Sequence, residues 1–245
     1  MSTGLIVAIA VGGGVLFLGG VAWLISKLTR SFAAESGAAT AEAGDVRQRL
    51  AEELQRRGWR FEERNDSYAE IHNAQPEFQL RNVLDPFTLP PKAVGARNVI
   101  TGTHRSRPFI ATEFDVRHQG QHVPVTAVWL SLPAMRPGLT VRRVLRAQSK
   151  IRSQIGQRDI QLGFPEFDEN FEITTEDEAF ARAVLVPDLV RFLVTDPRVS
   201  RGFAIYGDQL NAHDIVGDHR DPQKLVPALD LRCDILDRIP TFVWS

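Results

Sequence analysis

Six histidines and one cysteine carry most of the side-chain chemistry available to this 245-residue chain. His118 and His122 have the three-residue gap seen in some zinc sites, but they fall in a Gly-containing turn and have no third ligand nearby. His213-Asp214 and Asp218-His219 are denser, and a hard metal or a proton relay is conceivable there. Strand alternation, however, turns His213 and Ile215 to one face and Asp214 to the other. Glu166 and Asp168 could form a carboxylate pair, yet in Phe164-Pro165-Glu166-Phe167-Asp168 they more simply solvate a tight bend. His72 and His104 are the remaining histidines. Cys233 sits in an apolar helical stripe, where a buried, inert thiol is the default. A lone cysteine also excludes an internal disulfide framework and a cysteine-based zinc site within one chain. Gly-x-Ser-x-Gly, a P-loop, His-Glu-x-x-His and the kinase signatures are absent. No catalytic residue, metal ligand or cofactor is expected.

Charge is segregated. Between Asp115 and Asp159 there is no acidic residue, while Arg117, Arg136, Arg142, Arg143, Arg146, Lys150, Arg152 and Arg158 are basic. From Asp159 to Glu178 the pattern inverts, with acids and no base. One reading is two solvated faces that attract each other within the fold. The other places Arg142, Arg143, Arg146, Lys150 and Arg152 against an anionic lipid surface or an acidic partner, each cation contributing about 1 kcal/mol near such a surface. Nucleic acid is not expected, because net charge is −1 and the basic run lacks interleaved aromatics.

These groups must be positioned by a mixed set of elements. Val46, Leu50 and Leu54 recur at helical spacing after Asp45, a candidate cap, and Gly58 stops the run. Trp59 and Phe61, then Tyr68 and Ile71, suggest a hairpin turning at Arg64-Asn65-Asp66-Ser67. Phe78 to Gly95 reads as an extended, proline-containing loop. Val99 to Thr103, Phe109 to Val116 and Val123 to Leu132 form an antiparallel meander, split at Arg105-Ser106-Arg107-Pro108 and His118-Gln119-Gly120-Gln121. Leu139 to Val144 is a fourth strand, and Leu145 to Ile155 a helix. Thr175 and Glu178 have capping-box spacing for a helix through Leu185. Pro187 opens a helix to Val194. Phe203 to Tyr206 and Leu210 to Val216 flank Gly207-Asp208 as a hairpin. A helix from Pro222 to Leu236 contains Pro227, which should bend or start it.

Residues 5–25 contain no charge and no proline. A run of about 21 residues crosses the ~30 Å hydrocarbon core as a helix. Its glycines are tolerated in a bilayer, and Trp23 lies near one end as interfacial aromatics do. A cleaved signal peptide fits less well, since Met1 to Gly4 carry no basic side chain and the apolar run is long. A dinucleotide-binding turn fails because Gly12 and Gly14 are followed by Leu16 and Phe17. Self-association through the small residues is an alternative role for this helix. Lys27 and Arg30 follow it and nothing basic precedes it, which places the C-terminal part in the cytoplasm. The chain thus divides into an anchor and flank (1–30), a linker rich in Ala, Ser, Gly and Glu (31–44) and a soluble domain (45–245).

Gly58-Trp59 after a short amphipathic helix, Asn98-Val99-Ile100-Thr101-Gly102-Thr103, Gly163-Phe164-Pro165-Glu166-Phe167-Asp168, and Ala183 with Pro187 occur in this order. In this arrangement the chain resembles a group of actinobacterial membrane-anchored proteins of unknown function over roughly residues 45 to 239. The resemblance implies an N-terminal hydrophobic segment joined to an α+β domain. Val186 stands where a Thr would precede the helix-starting proline, and the group implies no catalytic residues.

The expected fold is therefore α+β: a single transmembrane helix followed by a domain with a mainly antiparallel sheet and packed helices. The leading expectation for function is a non-enzymatic module that binds an unidentified protein partner or scaffolds a complex at the bilayer. The alternatives are a membrane-tethered enzyme whose site is assembled by folding, and an envelope-facing sensor. A perturbed acid/base cluster in an apolar cleft would favour the enzyme. An exposed apolar patch without one would favour the module.

Overall fold

The computed structural model describes residues 42–74, 92–118, 121–144 and 160–245. The expected membrane helix, the helix from Leu145 to Ile155, and Arg146, Lys150 and Arg152 lie outside the described residues. The chain forms two compact units, Met1–Gln48 and Arg49–Ser245. Of the first, residues 42–48 are described, and they are helical. The second is an α+β fold built on one sheet. Among the described residues no helix is long and apolar enough to cross a membrane.

Helix α1 covers residues 42–57, so Asp45 lies inside it rather than capping it. Gly58, at φ +67°, ends it as expected, because an L side chain rarely takes that conformation. Strand β1 (Arg60–Arg64) follows. The expected hairpin from Trp59 to Ile71 is not formed. Ser67–Asn73 is helix α2, and β1 instead pairs with β2 (Ala93–His104). Asp66 explains the switch: its carboxylate accepts from the Ala96 amide at 3.1 Å and from the Arg64 guanidinium at 2.8 Å, which ties the turn to β2. The strand also reaches back to Ala93, into the span expected to be loop.

The meander is present. β2, β3 (Arg107–His118) and β4 (Gln121–Arg143) pair antiparallel, with Ile100 opposite Ala111 and Ala111 opposite Val128. Arg105 and Ser106 turn the first hairpin with φ of +48° and +64°, the mirror-image turn that matches strand twist. β4 is one strand of 23 residues, not two. Register shifts between Ser131 and Leu139 absorb Pro133 and Pro137, which cannot donate to a ladder.

Helix α3 (Pro165–Asn170) replaces the expected bend before β5 (Phe171–Thr175). Helix α4 (Glu178–Val184) is capped by Asp177, whose carboxylate accepts from the Phe180 amide at 2.8 Å. Thr175 is not the cap; its hydroxyl accepts from the Asp177 amide and donates to the Gly138 carbonyl, closing the end of β5. Helix α5 (Pro187–Thr195) starts at its proline as expected, without a side-chain cap at Val186. β6 (Gly202–Ala212) is continuous where a hairpin was expected. Gly207, at φ +57°, faces Arg136 in a bulge rather than making a turn. Helix α6 (Pro222–Asp237) is capped by Asp221 and carries Pro227 in its interior.

All pairings are antiparallel, in the order β1-β2-β3-β4-β5, with β6 on the other edge of β4. One sheet face carries the main core, where Ile100, Phe109, Leu130, Leu139, Val141, Phe203 and Ile205 meet Leu189 and Leu193 of α5 and Leu225 and Leu229 of α6. The opposite face carries a smaller cluster under α2, with Ala69, Ala96, Phe114 and Trp129. Trp59 closes the first core at its edge. A Cβ on Gly102 would sit 2.4 Å from its ring, so the indole needs that glycine.

Candidate functional site

Helix α6 gathers most of the charged chemistry. Asp230, Asp234 and Asp237 stand at i, i+4 and i+7, so they line one face. Asp230 accepts from His104, at 2.8 Å from Nε2. Arg57 donates to His104 Nδ1 at 3.3 Å. With Nδ1 accepting from Arg57, Nε2 is the donor to Asp230, so both nitrogens of this ring, 5% exposed, are engaged. Asp234 takes Arg105 at 2.7 Å and Arg198 at 2.9 Å. Burial pushes its carboxyl up, but the two guanidiniums outweigh this and hold it below the ordinary range. Asp237 pairs with both Arg105 and Arg107. The β2–β3 hairpin tip is thereby fastened to α6.

Arg232 lies on the inner side of the same helix and is 1% exposed. It donates to Asp214 in a fork, at 2.9 Å to Oδ2 and 2.8 Å to Oδ1. Nε donates to the Val128 carbonyl at 2.7 Å, and further bonds reach Ala228 and Ala212. A buried guanidinium persists when its charge is paired and its other donors are filled, and both conditions hold here. Cys233, beside it, is fully buried; its thiol faces the His104 carbonyl at 3.8 Å, and burial pushes it up from its ordinary value.

The residues singled out by sequence are not brought together. His122 reaches Asp115 at 2.9 Å and is exposed. His213 and Asp214 part, as expected: Asp214 turns to Arg232, while His213 Nε2 is buried without a hydrogen bond. Burial and then the Arg142 charge push His213 down. His219 is buried against the Asn98 carbonyl at 2.6 Å, and burial again lowers it. Asp218 does not join it but pairs with Arg220. Asp168 accepts from the Leu162 and Gly163 amides, at 3.0 and 2.9 Å, and so organises the entry to α3 rather than pairing with Glu166. Among the described residues no three His, Cys, Asp or Glu side chains are grouped to hold a metal.

Of the five candidate surface contacts, Arg142 and Arg143 lie among the described residues. Arg142 pairs with Glu172 of β5 at 3.2 Å, and Arg143 donates to the Leu193 carbonyl while lying over the Phe171 ring. At Arg142 a member of the basic run pairs with a member of the acidic run within the fold.

The outer face offers a different surface. His72 of α2 stacks on Phe114 with centroids 4.5 Å apart, and Phe114 stacks on Trp129 at 5.7 Å. Burial alone takes His72 down to about 4. Beside this stack, Val125 pairs with Phe114 and Val123 with Val116. Val123 and Val125 are about two-fifths exposed, and Ile71 of α2 is exposed as well. Two open grooves border α6. One, about 510 Å³, is lined by Arg49, Glu52, Glu53 and Arg57 with Pro222, Gln223, Val226 and Pro227. The other, about 420 Å³, lies between residues 214–217 and α6.

Sequence reading missed Arg232, the acidic row of α6 and the arginines of the hairpin tip. The spacing of Asp230, Asp234 and Asp237 was a usable signal. An arginine between Leu231 and Cys233 in an apolar stripe was another.

No family model and no curated protein matches this chain. Among solved structures, the chain is similar to the mycobacterial trehalose monomycolate transport factor A. That similarity has 13% identity and a TM-score of 0.44, covering 80% of this chain and 96% of that one.

Proposed function

We propose that this chain is a single-pass membrane protein, held by residues 5–25, whose domain is a non-enzymatic binding or scaffolding module on the cytoplasmic side. The observation that carries this reading is the exposed pair Val123 and Val125 beside the His72–Phe114–Trp129 stack. Exposed apolar surface of this kind favours a protein contact. Two deeply buried ionisable groups, His104 and Arg232, spend their polar atoms on partners inside the fold.

The test is co-purification from native membranes with the intact chain and with a Val123→Ser/Val125→Ser variant. A partner retained by the intact chain and lost from the variant is expected. Retention by both, or by neither, overturns the assignment of this pair. Topology is tested separately: an active C-terminal alkaline phosphatase fusion would move the domain to the envelope side and favour the sensor reading.

An enzyme remains the second reading, and the His104–Asp230 couple is the feature that favours it. Arg57 occupies the other ring nitrogen, so this histidine would have to exchange a partner before it could move a proton.

A further inference from the structure

Strand β1 ends the sheet, and all five of its residues, Arg60 to Arg64, are exposed. Just past it the Asn65 amide donates to the Ala96 carbonyl at 3.0 Å, in the same register as Arg64 with Arg97 and Phe61 with Ile100. That bond fixes the phase of the ladder. Bonded and non-bonded pairs alternate in an antiparallel ladder, so Phe61 and Glu63 turn their backbone groups toward β2, while Arg60, Glu62 and Arg64 turn theirs away. Among the described residues no strand pairs with that outer edge. A row of open N–H and C=O groups is a template for one kind of occupant, another extended strand.

Edges are commonly guarded by charge, and β1 carries Arg, Glu, Glu and Arg around one Phe. The order of those residues is nevertheless self-complementary in one register. Two antiparallel copies related by a two-fold axis must be centred on a single residue, because residues that face each other share a sheet face. Centring on Glu62 sets that carboxylate against itself and Arg60 against Arg64. Centring on Glu63 sets Glu63 against itself and calls on Arg64, which is already forked onto Asp66. Centring on Phe61 sets Phe61 against Phe61 and Arg60 against Glu62 on both sides of it. Phe61, 37% exposed, then occupies a non-hydrogen-bonded pair, where facing Cα atoms stand about 4.5 Å apart and aromatic rings make contact. Arg60 and Glu62, whose backbone groups face outward, exchange both N–H···O bonds and also pair their charges. Their side chains are available for it. Among the described residues Arg60 has no salt-bridge partner, and Glu62 is held by the Asn65 side-chain amide at 2.9 Å.

We propose that β1 is a self-association edge: two copies of this chain pair antiparallel through it, centred on Phe61, with Arg60 of each copy on Glu62 of the other. So short a ladder falls below the ~800 Å² per partner of a stable complex, so the pairing belongs to the weak, concentration-dependent class. It lies on a different strand from Val123 and Val125 and does not depend on the partner proposed for them.

Disulfide trapping suits a weak contact. Phe61→Cys, Glu62→Cys and Glu63→Cys are made singly in the full-length chain, purified in detergent and oxidised with copper phenanthroline. Cys233 is fully buried and stays in place, and the unsubstituted chain gives the background. Non-reducing electrophoresis should show about threefold more dimer for Phe61→Cys than for either neighbour, because only position 61 faces its own copy. Adding Arg60→Glu to Phe61→Cys should lower the dimer about threefold to tenfold, since like charges then face each other twice, and adding Glu62→Arg as well should restore it. These side chains are exposed, and circular dichroism checks that the variants stay folded. Dimer strongest at position 62 or 63, or a charge-swapped variant that stays low, overturns the register and the proposal with it. So do yields at background, and so do equal yields at all three positions, which is the pattern expected if copies are gathered elsewhere, through residues 5–25 for example. None of these outcomes bears on whether a partner is lost with Val123 and Val125.

Discussion

Replacing Asp214 with alanine should be among the most damaging single changes outside the apolar core. The substitution strands a guanidinium that is 1% exposed and leaves it with neutral acceptors only, the carbonyls of Val128, Ala212 and Ala228 and the Asn211 side chain. Removing one partner of a buried ion pair costs about 3–5 kcal/mol. Asp214 is 17% exposed and three carbonyls continue to accept, so the lower end, about 3 kcal/mol, is expected. With a urea slope of about 2 kcal/mol per molar, the unfolding midpoint falls by about 1.5 M at unchanged slope. Asp214→Asn keeps an acceptor and loses the charge, so it should fall between the two. Asp188 provides the control: it is 67% exposed and lies 3.7 Å from Arg238, and its loss should move stability by no more than about 0.5 kcal/mol. A midpoint for Asp214→Ala within 0.25 M, roughly, of that control would refute the view that Arg232 depends on its carboxylate.

Acid should loosen the outer face before it reaches the carboxylates. His72 is drawn from the ordinary imidazole value to about 4 by burial, so the unfolded chain takes up a proton that the folded chain refuses. Its contribution is complete above the unfolded value, near 6.5, and is lost as pH falls toward 4, with a slope of at most about 1.4 kcal/mol per pH unit. His213 and His219 shift in the same direction, and His72→Phe should reduce the acid slope by about one proton; an identical pH profile for that variant would remove His72 from the account. Gly202→Ala should cost about 3–5 kcal/mol, because its Cβ would lie 2.0 Å from the Val141 carbonyl at φ +103°. Gly163→Ala, strained at φ +83° but open in space, should cost about 1 kcal/mol, and thermal midpoints that fail to separate the two would contradict the packing at Gly202.

The meander was legible because three β-rich runs, around Ile100, Ala111 and Val128, are separated by short turn sequences. The helix from Pro222 and the start at Pro187 were legible for a similar reason, since proline at the first turn is a local signal. Errors fell where a local signal was misread or was overruled at long range. Tyr68 and Ile71 stand three apart, a spacing of helices rather than of strands, and with Asp66 bonded to Ala96 the segment Ser67–Asn73 is a helix. Pro133 and Pro137 read as a break in β4, and the bulge opposite Gly207 carries the strand through. Gly207-Asp208 has turn chemistry, yet pairing to β4 on either side holds it straight. The charge chemistry was the least legible part. Arg232 meets Asp214 eighteen positions away and Asp230 meets His104 from 126 positions away, and no spacing rule anticipates such pairs.

The order in which these partners leave the ribosome has a cost for the cell. The β2–β3–β4 hairpins close between neighbours in sequence and can form early in synthesis. Their core face is sealed by α6, whose bonds span 104 residues to Val128 and 129 residues to Arg105. Until α6 emerges, a nascent chain displays Ile100, Phe109 and Leu130 with nothing from that helix to cover them. The interval is a window for aggregation in which a trigger-type chaperone would find its substrate, and a stop codon placed before Pro222 should send the product to proteolysis rather than yield a smaller working module.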